Sequence, residues 1–190
     1  VIVAIASGKG GTGKTTFAVN LARSLERPPQ LLDCDVEAPN AHLYLRPRIL
    51  GAEAAGILVP RVDAARCTLC GDCAGLCRYH ALAVLRTGVM VFPELCHGCG
   101  GCALVCPEGA ITEELRPIGV VEWGLAGDIE LVTGRLDIGE AQAPPLIRAV
   151  KAKARGDRLV VIDAPPGTSC PTIAAIQGAD FVLLVTEPTP

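Results

Sequence analysis

Four short apolar runs punctuate the chain: Val1–Ala6, Gln30–Asp33, Leu159–Asp163 and Phe181–Val185, each ending in polar or turn residues. Continuous runs of this length predict strands buried on both faces, because a half-solvated strand would alternate apolar with polar positions. Helical patterns cover Thr15–Leu25 after the first run and Leu146–Arg155 before the third. Strand, helix, strand repetition predicts an α/β fold with a doubly wound, mainly parallel sheet. The stretch Gly119–Thr133, with Gly124 and Gly127 at a turn, is expected to return the chain to that sheet as a hairpin.

Between 60 and 116 the texture changes to frequent cysteine and glycine, with no long helical pattern and no apolar strand. The expected organisation is therefore one domain built from 1–59 and 117–190, with 60–116 inserted as a small α+β module. A chain of 190 residues that is 50% hydrophobic supports one core of ordinary size. Only 3% of its residues are aromatic, so Val, Ile, Leu and Ala must fill that core.

A net charge of −3 gives no global basic field for nucleic acid or anionic lipid. No apolar stretch approaches the ~18 residues of a membrane span, and Val1–Ala6 is too short for a signal peptide's apolar region. The expectation is a cytoplasmic protein with neither nucleic-acid nor membrane partners. The first residue is not Met and the last residues, Glu187–Pro190, directly follow a strand, which suggests a fragment. Residues that recognise a base, and any C-terminal targeting helix, would then lie elsewhere.

Residues Gly8–Thr16 read GKGGTGKTT, which satisfies G-x-x-x-x-G-K-[ST] between an apolar strand and a helical segment. Gly8, Gly10, Gly11 and Gly13 let backbone approach phosphate, and the N–H groups through Thr12 and Thr16 face negative oxygens. Lys14 is expected to meet the β and γ phosphates of ATP, or the β phosphate of ADP, and the Thr15 hydroxyl to bind Mg²⁺. A functionless glycine turn does not require this flanking context. Of the four lysines in the chain, two, Lys9 and Lys14, fall in this loop.

Eight of the ten cysteines form two runs of C-x₂-C-x₂-C-x₃-C: Cys67, Cys70, Cys73, Cys77 and Cys96, Cys99, Cys102, Cys106. This is the spacing of bacterial two-cluster ferredoxins, in which three thiolates of one run share a [4Fe–4S] cluster with the fourth of the other. One set is then Cys67, Cys70, Cys73 and Cys106, and the other Cys96, Cys99, Cys102 and Cys77. Pro107 follows Cys106 as the pattern asks, whereas Arg78 follows Cys77. Zinc knuckles also use paired C-x₂-C but do not need three-plus-one spacing twice, and a disulfide framework suits small secreted domains. Cys34 and Cys170 lie outside the runs and read as small buried apolar residues. His42, His80 and His97 read as surface or satisfied core residues, with His97 placed to donate a hydrogen bond to a cluster sulfur.

The loop GKGGTGKTT resembles the deviant Walker A loop of the MinD, ParA, Mrp and nitrogenase iron protein ATPases, whose signature lysine directly follows the first glycine. The resemblance implies that Lys9 reaches across an ATP-sandwich dimer to the partner's phosphates. Asp33-Cys34-Asp35 resembles that family's D-x-D, and VEAPN at Val36–Asn40 its switch I. It implies that Asp35 positions or deprotonates the attacking water. Asp163 and the following APPGT resemble Walker B and switch II, implying that Asp163 holds Mg²⁺ through water and that the Gly167 N–H senses the γ phosphate. The alternative for these aspartates is a solvated strand end.

As a whole the chain resembles MinD-superfamily ATPases with an inserted ferredoxin domain. That implies ATP hydrolysis coupled to electron transfer through two [4Fe–4S] clusters to a partner metalloprotein. The alternative is a nucleotide-switched factor for assembling or positioning iron–sulfur clusters or other metallocofactors. Implied partners are a second copy or a paralogous ATPase, and a small protein of the nitrogenase iron–molybdenum cofactor accessory type.

Overall fold

The computed structural model describes residues 1–187; the Pro188–Pro190 part of the C-terminal tail lies outside the described residues. The chain divides into two compact units, 1–55 with 118–190, and 56–117. The inner unit begins at 56 rather than 60 and ends at 117 rather than 116.

In the outer unit the apolar runs form the strands β1 (Ile2–Ala6), β2 (Gln30–Asp33), β8 (Val160–Asp163) and β9 (Phe181–Leu184). The fold is α/β with a mostly parallel sheet of order β3-β6-β7-β2-β8-β1-β9. The pairs β1–β8, β1–β9, β2–β7 and β2–β8 are parallel. Strands β6 (Ile111–Ala126) and β7 (Ile129–Leu136) form the expected hairpin. Its turn lies at Gly127, whose φ of 60° favours glycine. Gly124 is inside β6 instead, where an added Cβ would lie 2.4 Å from the Arg48 carbonyl oxygen.

Helix α1 (Lys14–Ser24) packs Ala18 and Val19 against Ile5, Leu31 and Val161. Helix α2 is Ala41–Leu45, and α5 (Ala143–Lys151) buries Leu146, Ile147 and Val150, positions three and four apart on one face. Helix α2 and two further elements were not expected. Strand β3 (Arg48–Val62) carries Gly51, Gly56 and Pro60 and shows no regular burial alternation, so no apolar period announces it. Helix α6 (Cys170–Ile176) is short and opens with Pro at its second residue.

The inner unit contains strands and helices, as an α+β module should, although no apolar pattern marked the strands. Parts of β3 and β6 belong to it, with the hairpin of β4 (Leu82–Leu85) and β5 (Gly88–Val91). They escaped notice because Thr112–Arg116 is charged and β4 and β5 are only four residues each. Helices α3 (Asp72–Leu76) and α4 (Gly101–Val105) begin at equivalent places in the two cysteine runs, 29 positions apart.

That offset recurs throughout the inner unit. Positive φ angles fall at Leu69 and Gly98, at Gly71 and Gly100, and at His80 and Gly109. Reciprocal hydrogen bonds tie the halves together: Phe92 N–H donates to the Ala81 carbonyl at 2.8 Å, and Asp63 N–H to the Ala110 carbonyl at 2.8 Å.

Candidate functional sites

The loop from Gly8 to Gly13 leaves the carboxyl end of β1 and leads into α1, where strand ends and a helix N-terminus gather ligands in open α/β sheets. Gly11 and Gly13 hold φ of 82° and 88°, and an added Cβ at Gly8, Gly10, Gly11 or Gly13 would meet nothing within 4 Å. The loop's concave side is thus open backbone. Lys14 is buried, Thr15 half-buried, Thr12 half-buried and Thr16 exposed; Lys9 is exposed. The Ser7 hydroxyl donates to the Lys9 carbonyl at 2.7 Å, and the Gly167 N–H donates to the Ser7 carbonyl at 3.0 Å. Gly167, with φ of 96°, is therefore brought beside the phosphate loop.

Asp33 and Asp163 end adjacent strands in the same register. Both are fully buried, so the solvated strand end fails for each. Asp33 takes three backbone N–H groups, from Asp35 at 3.2 Å, Asn40 at 3.1 Å and Ala41 at 3.0 Å. It is the anchor of the Asp35–Ala41 loop, a role the sequence did not disclose. Burial first, and repulsion from Asp163 second, raise its pKa to about 7.

Burial raises Asp163 to about 6, against the pull of the nearby Thr15 hydroxyl and Lys14 ammonium. Thr15 stands close without hydrogen-bond geometry, so neither carboxylate oxygen of Asp163 has a partner. Two orphaned oxygens beside a threonine hydroxyl at a phosphate loop fit a divalent cation. Asp35 is half-buried; burial raises its pKa and the Lys14 charge opposes that.

In the inner unit the cysteines separate into two cavities. One is lined by Cys67, Cys70, Cys73 and Cys106 with Val62, Leu69, Val89 and Ile111. The other is lined by Cys77, Cys96, Cys99 and Cys102 with Leu58, Pro60, Leu76 and Leu82. Backbone N–H groups point at sulfur, from Ala81 to Cys77 Sγ at 3.3 Å, Ala110 to Cys106 Sγ at 3.2 Å and Gly98 to Cys96 Sγ at 3.4 Å. Burial raises the thiol pKa of Cys73 and of its equivalent Cys102, so their thiolates need a cationic partner.

Among the described residues no three His, Cys, Asp or Glu side chains converge as a single-ion site. Four thiols around an apolar cavity, with N–H donors to sulfur, fit an iron–sulfur cluster's donor set. His97 stacks on Tyr79 with ring centres 3.5 Å apart, both lining the second cavity; His42 and His80 are exposed.

Of the two remaining cysteines, Cys34 is fully buried and burial pushes its thiol pKa up. Cys170 departs from expectation: as the first residue of a short surface helix it is exposed. Among the described residues no helix is long and apolar enough to cross a membrane.

A family model described as the CobQ/CobB/MinD/ParA nucleotide binding domain matches residues 3–180. An uncharacterized protein of Methanocaldococcus jannaschii is 34% identical, over 98% of this chain and 67% of its own length. The iron-sulfur cluster carrier protein of Pyrococcus abyssi is 26% identical, over 98% of this chain and 51% of its own length. The septum site-determining protein MinD from Pyrococcus horikoshii OT3, solved in complex with Mg-ADP, is 21% identical with a TM-score of 0.49. The match covers 99% of this chain and 58% of that one. The chain thus spans about half to two thirds of the length of these proteins.

Proposed function

The chain belongs to the CobQ/CobB/MinD/ParA nucleotide-binding family, and from that premise we propose that it is an ATP-hydrolysing iron–sulfur protein whose nucleotide cycle is coupled to electron transfer through two [4Fe–4S] clusters. The observation that carries the reading is the division of eight cysteines into two cavities, each pairing three thiols of one run with the fourth of the other. When bound, each cluster supplies a one-electron store, and Mg-ATP supplies the phosphoryl group.

The chain's own residues supply the rest. Loop N–H groups and the buried Lys14 hold the phosphates, while Thr15 and Asp163 hold the cation. Asp35, raised in pKa yet facing Lys14, takes the water-handling role. The Gly167 N–H, expected to meet the γ phosphate, donates here to the Ser7 carbonyl at 3.0 Å, so it would have to leave Ser7 to sense a γ phosphate. Lys9, exposed at the loop tip, is the cation offered to a second copy's nucleotide across a dimer. In the inner unit, N–H donors to sulfur and the apolar linings hold the thiolates and exclude water.

The test is analytical and kinetic. Purified protein should contain about eight iron and eight acid-labile sulfide atoms per chain; stoichiometric zinc without sulfide would overturn the reading. Lys14→Ala should abolish ATP binding, and Asp35→Asn should bind ATP but hydrolyse it at least tenfold more slowly. Normal hydrolysis by Asp35→Asn would remove Asp35 from its role.

A second reading, transfer of clusters to an apo-protein under nucleotide control, has support in the carrier name of the P. abyssi relative and in the exposure of Cys70 and Cys99. Electron transfer from the reduced protein accelerated by ATP favours the first reading. Loss of clusters to an apo-acceptor on ATP addition favours the second.

A further inference from the structure

A cavity of about 340 Å³ opens in the outer unit away from the phosphate loop, walled by Pro39 and Pro47, with Arg46, Arg135 and Trp123 among its other lining residues. This is the size of a small-molecule site. Leu131 and Thr133 are its buried lining residues, and the Thr133 hydroxyl, shut off from solvent, has no hydrogen-bond partner. A buried hydroxyl without a partner is rare and calls for an explanation.

The lining is also prearranged. Trp123 packs so closely on Gly51 that an added Cβ there would lie 2.4 Å from its ring, and Lys153 Nζ stands 4.8 Å from its ring centre. The cavity's one carboxylate, Glu122, is engaged by Arg135 at 3.4 Å. The Arg46 guanidinium has no carboxylate within ion-pair distance among the described residues.

Arg46 is held in the left-handed region, at φ 51° and ψ 58°, where it ends α2. Glycine or asparagine is the usual residue at such a helix end, so arginine carries some strain there. A free guanidinium, an unpartnered hydroxyl and an indole around one apolar hollow make up a recognition set for an organic anion.

We propose that this cavity is an effector site for a small carboxylate with an apolar body, its carboxylate held by Arg46 and its hydrocarbon part against Trp123 and Leu131, with the Thr133 hydroxyl turning out of its buried position to take an acceptor atom. The occupant reports to the nucleotide site through Pro39. That residue walls the cavity, and the next two, Asn40 and Ala41, donate their N–H groups to Asp33, the buried neighbour of Asp163. An occupant that fixes Pro39 therefore biases the loop carrying Asp35. By linkage, nucleotide must then change the occupant's affinity by the same factor. The inference goes beyond the iron–sulfur reading and does not need the clusters; its coupling arm needs only nucleotide binding.

Trp123 is the chain's only tryptophan, so its fluorescence reads the cavity directly. The probes are phenylacetate and its neutral isostere phenylacetamide. Phenylacetate should give a saturable change in emission, and phenylacetamide should bind at least tenfold more weakly. Arg46→Asn and Thr133→Val should each weaken phenylacetate at least fivefold. Arg46→Asn should also retain Mg-ADP binding and melt no lower than the wild type, because asparagine relieves the strained φ. Saturating Mg-ADP should shift the phenylacetate Kd at least threefold.

No saturable change, equal binding of the two probes, or undiminished binding by Arg46→Asn would overturn the site. An unchanged Kd with Mg-ADP, when Mg-ADP binding itself is demonstrated, would overturn the coupling.

Discussion

The two units are held together by different means. Every one of the largest fully buried side chains, among them Ile5, Leu31, Ile118, Leu146 and Ile162, lies in the outer unit. The core cluster of the inner unit has three buried members, Cys73, Leu82 and Ile111, and Cys77, Cys102 and Cys106 are among the residues packed on it. The outer unit removes enough apolar surface from water to stand by hydrophobic burial. A unit of 62 residues whose core is partly thiol buries much less, and small scaffolds of that kind commonly draw support from disulfides or metal. On the proposed reading, the thiols that line its cavities supply that support.

The sharpest way to break this contrast is to treat the protein with an iron chelator under reducing conditions, which on the proposed reading strips its clusters. Amides within 56–117 should lose nearly all protection from hydrogen exchange, while the outer unit keeps its protection and its nucleotide affinity. Persisting protection in the inner unit would show that the thiols do not need a metal group to hold it.

A smaller effect comes from truncating the cores. Leu31→Ala should destabilise the outer unit by about 2–5 kcal/mol, since a leucine with no exposed surface leaves a cavity. Leu82→Ala should cost the loaded inner unit clearly less, read as the shift in each unit's unfolding transition. Equal costs would remove the distinction.

The smallest effect is a pH dependence confined to the outer unit. The folded-state pKa values of Asp33 and Asp163, about 7 and about 6, stand above the 3.8 of an unfolded aspartate. Between those limits the folded state holds protons that the unfolded chain has released. Stability is therefore greatest at the acid end and falls as pH rises towards 7. One such proton is worth about 1.4 kcal/mol per pH unit. Without nucleotide and Mg²⁺, the outer-unit transition should weaken from pH 5.5 to 7, and Mg-ADP should recover the loss. A flat profile would mean that the carboxylates ionise freely in the fold.

How much of this was legible in the sequence follows from the range of the forces involved. Strands β1, β2, β8 and β9 and the phosphate loop are local: an apolar run or a glycine pattern suffices to reveal them. The cysteine spacing is local too, and the repeat it announces is carried by the backbone, down to matching φ angles. Strand β3 was hidden because Gly51, Gly56 and Pro60 fit a strand only through close approaches, such as Gly51 against Trp123, that are far apart in sequence. The anchoring role of Asp33 and the cavity around Thr133 depend likewise on neighbours that only the folded sheet brings together.

The 29-residue correspondence within the inner unit has a consequence for its ancestry and its portability. Each half supplies the other with a fourth thiol and a backbone hydrogen bond, so neither half is a smaller version of the whole. Such a module can be copied or moved between host proteins only as a pair of halves, because each cavity draws thiols from both. Deleting either half would leave the survivor with an incomplete set of thiols in both cavities, whereas substituting the four cysteines of one cavity would leave the other's four in place.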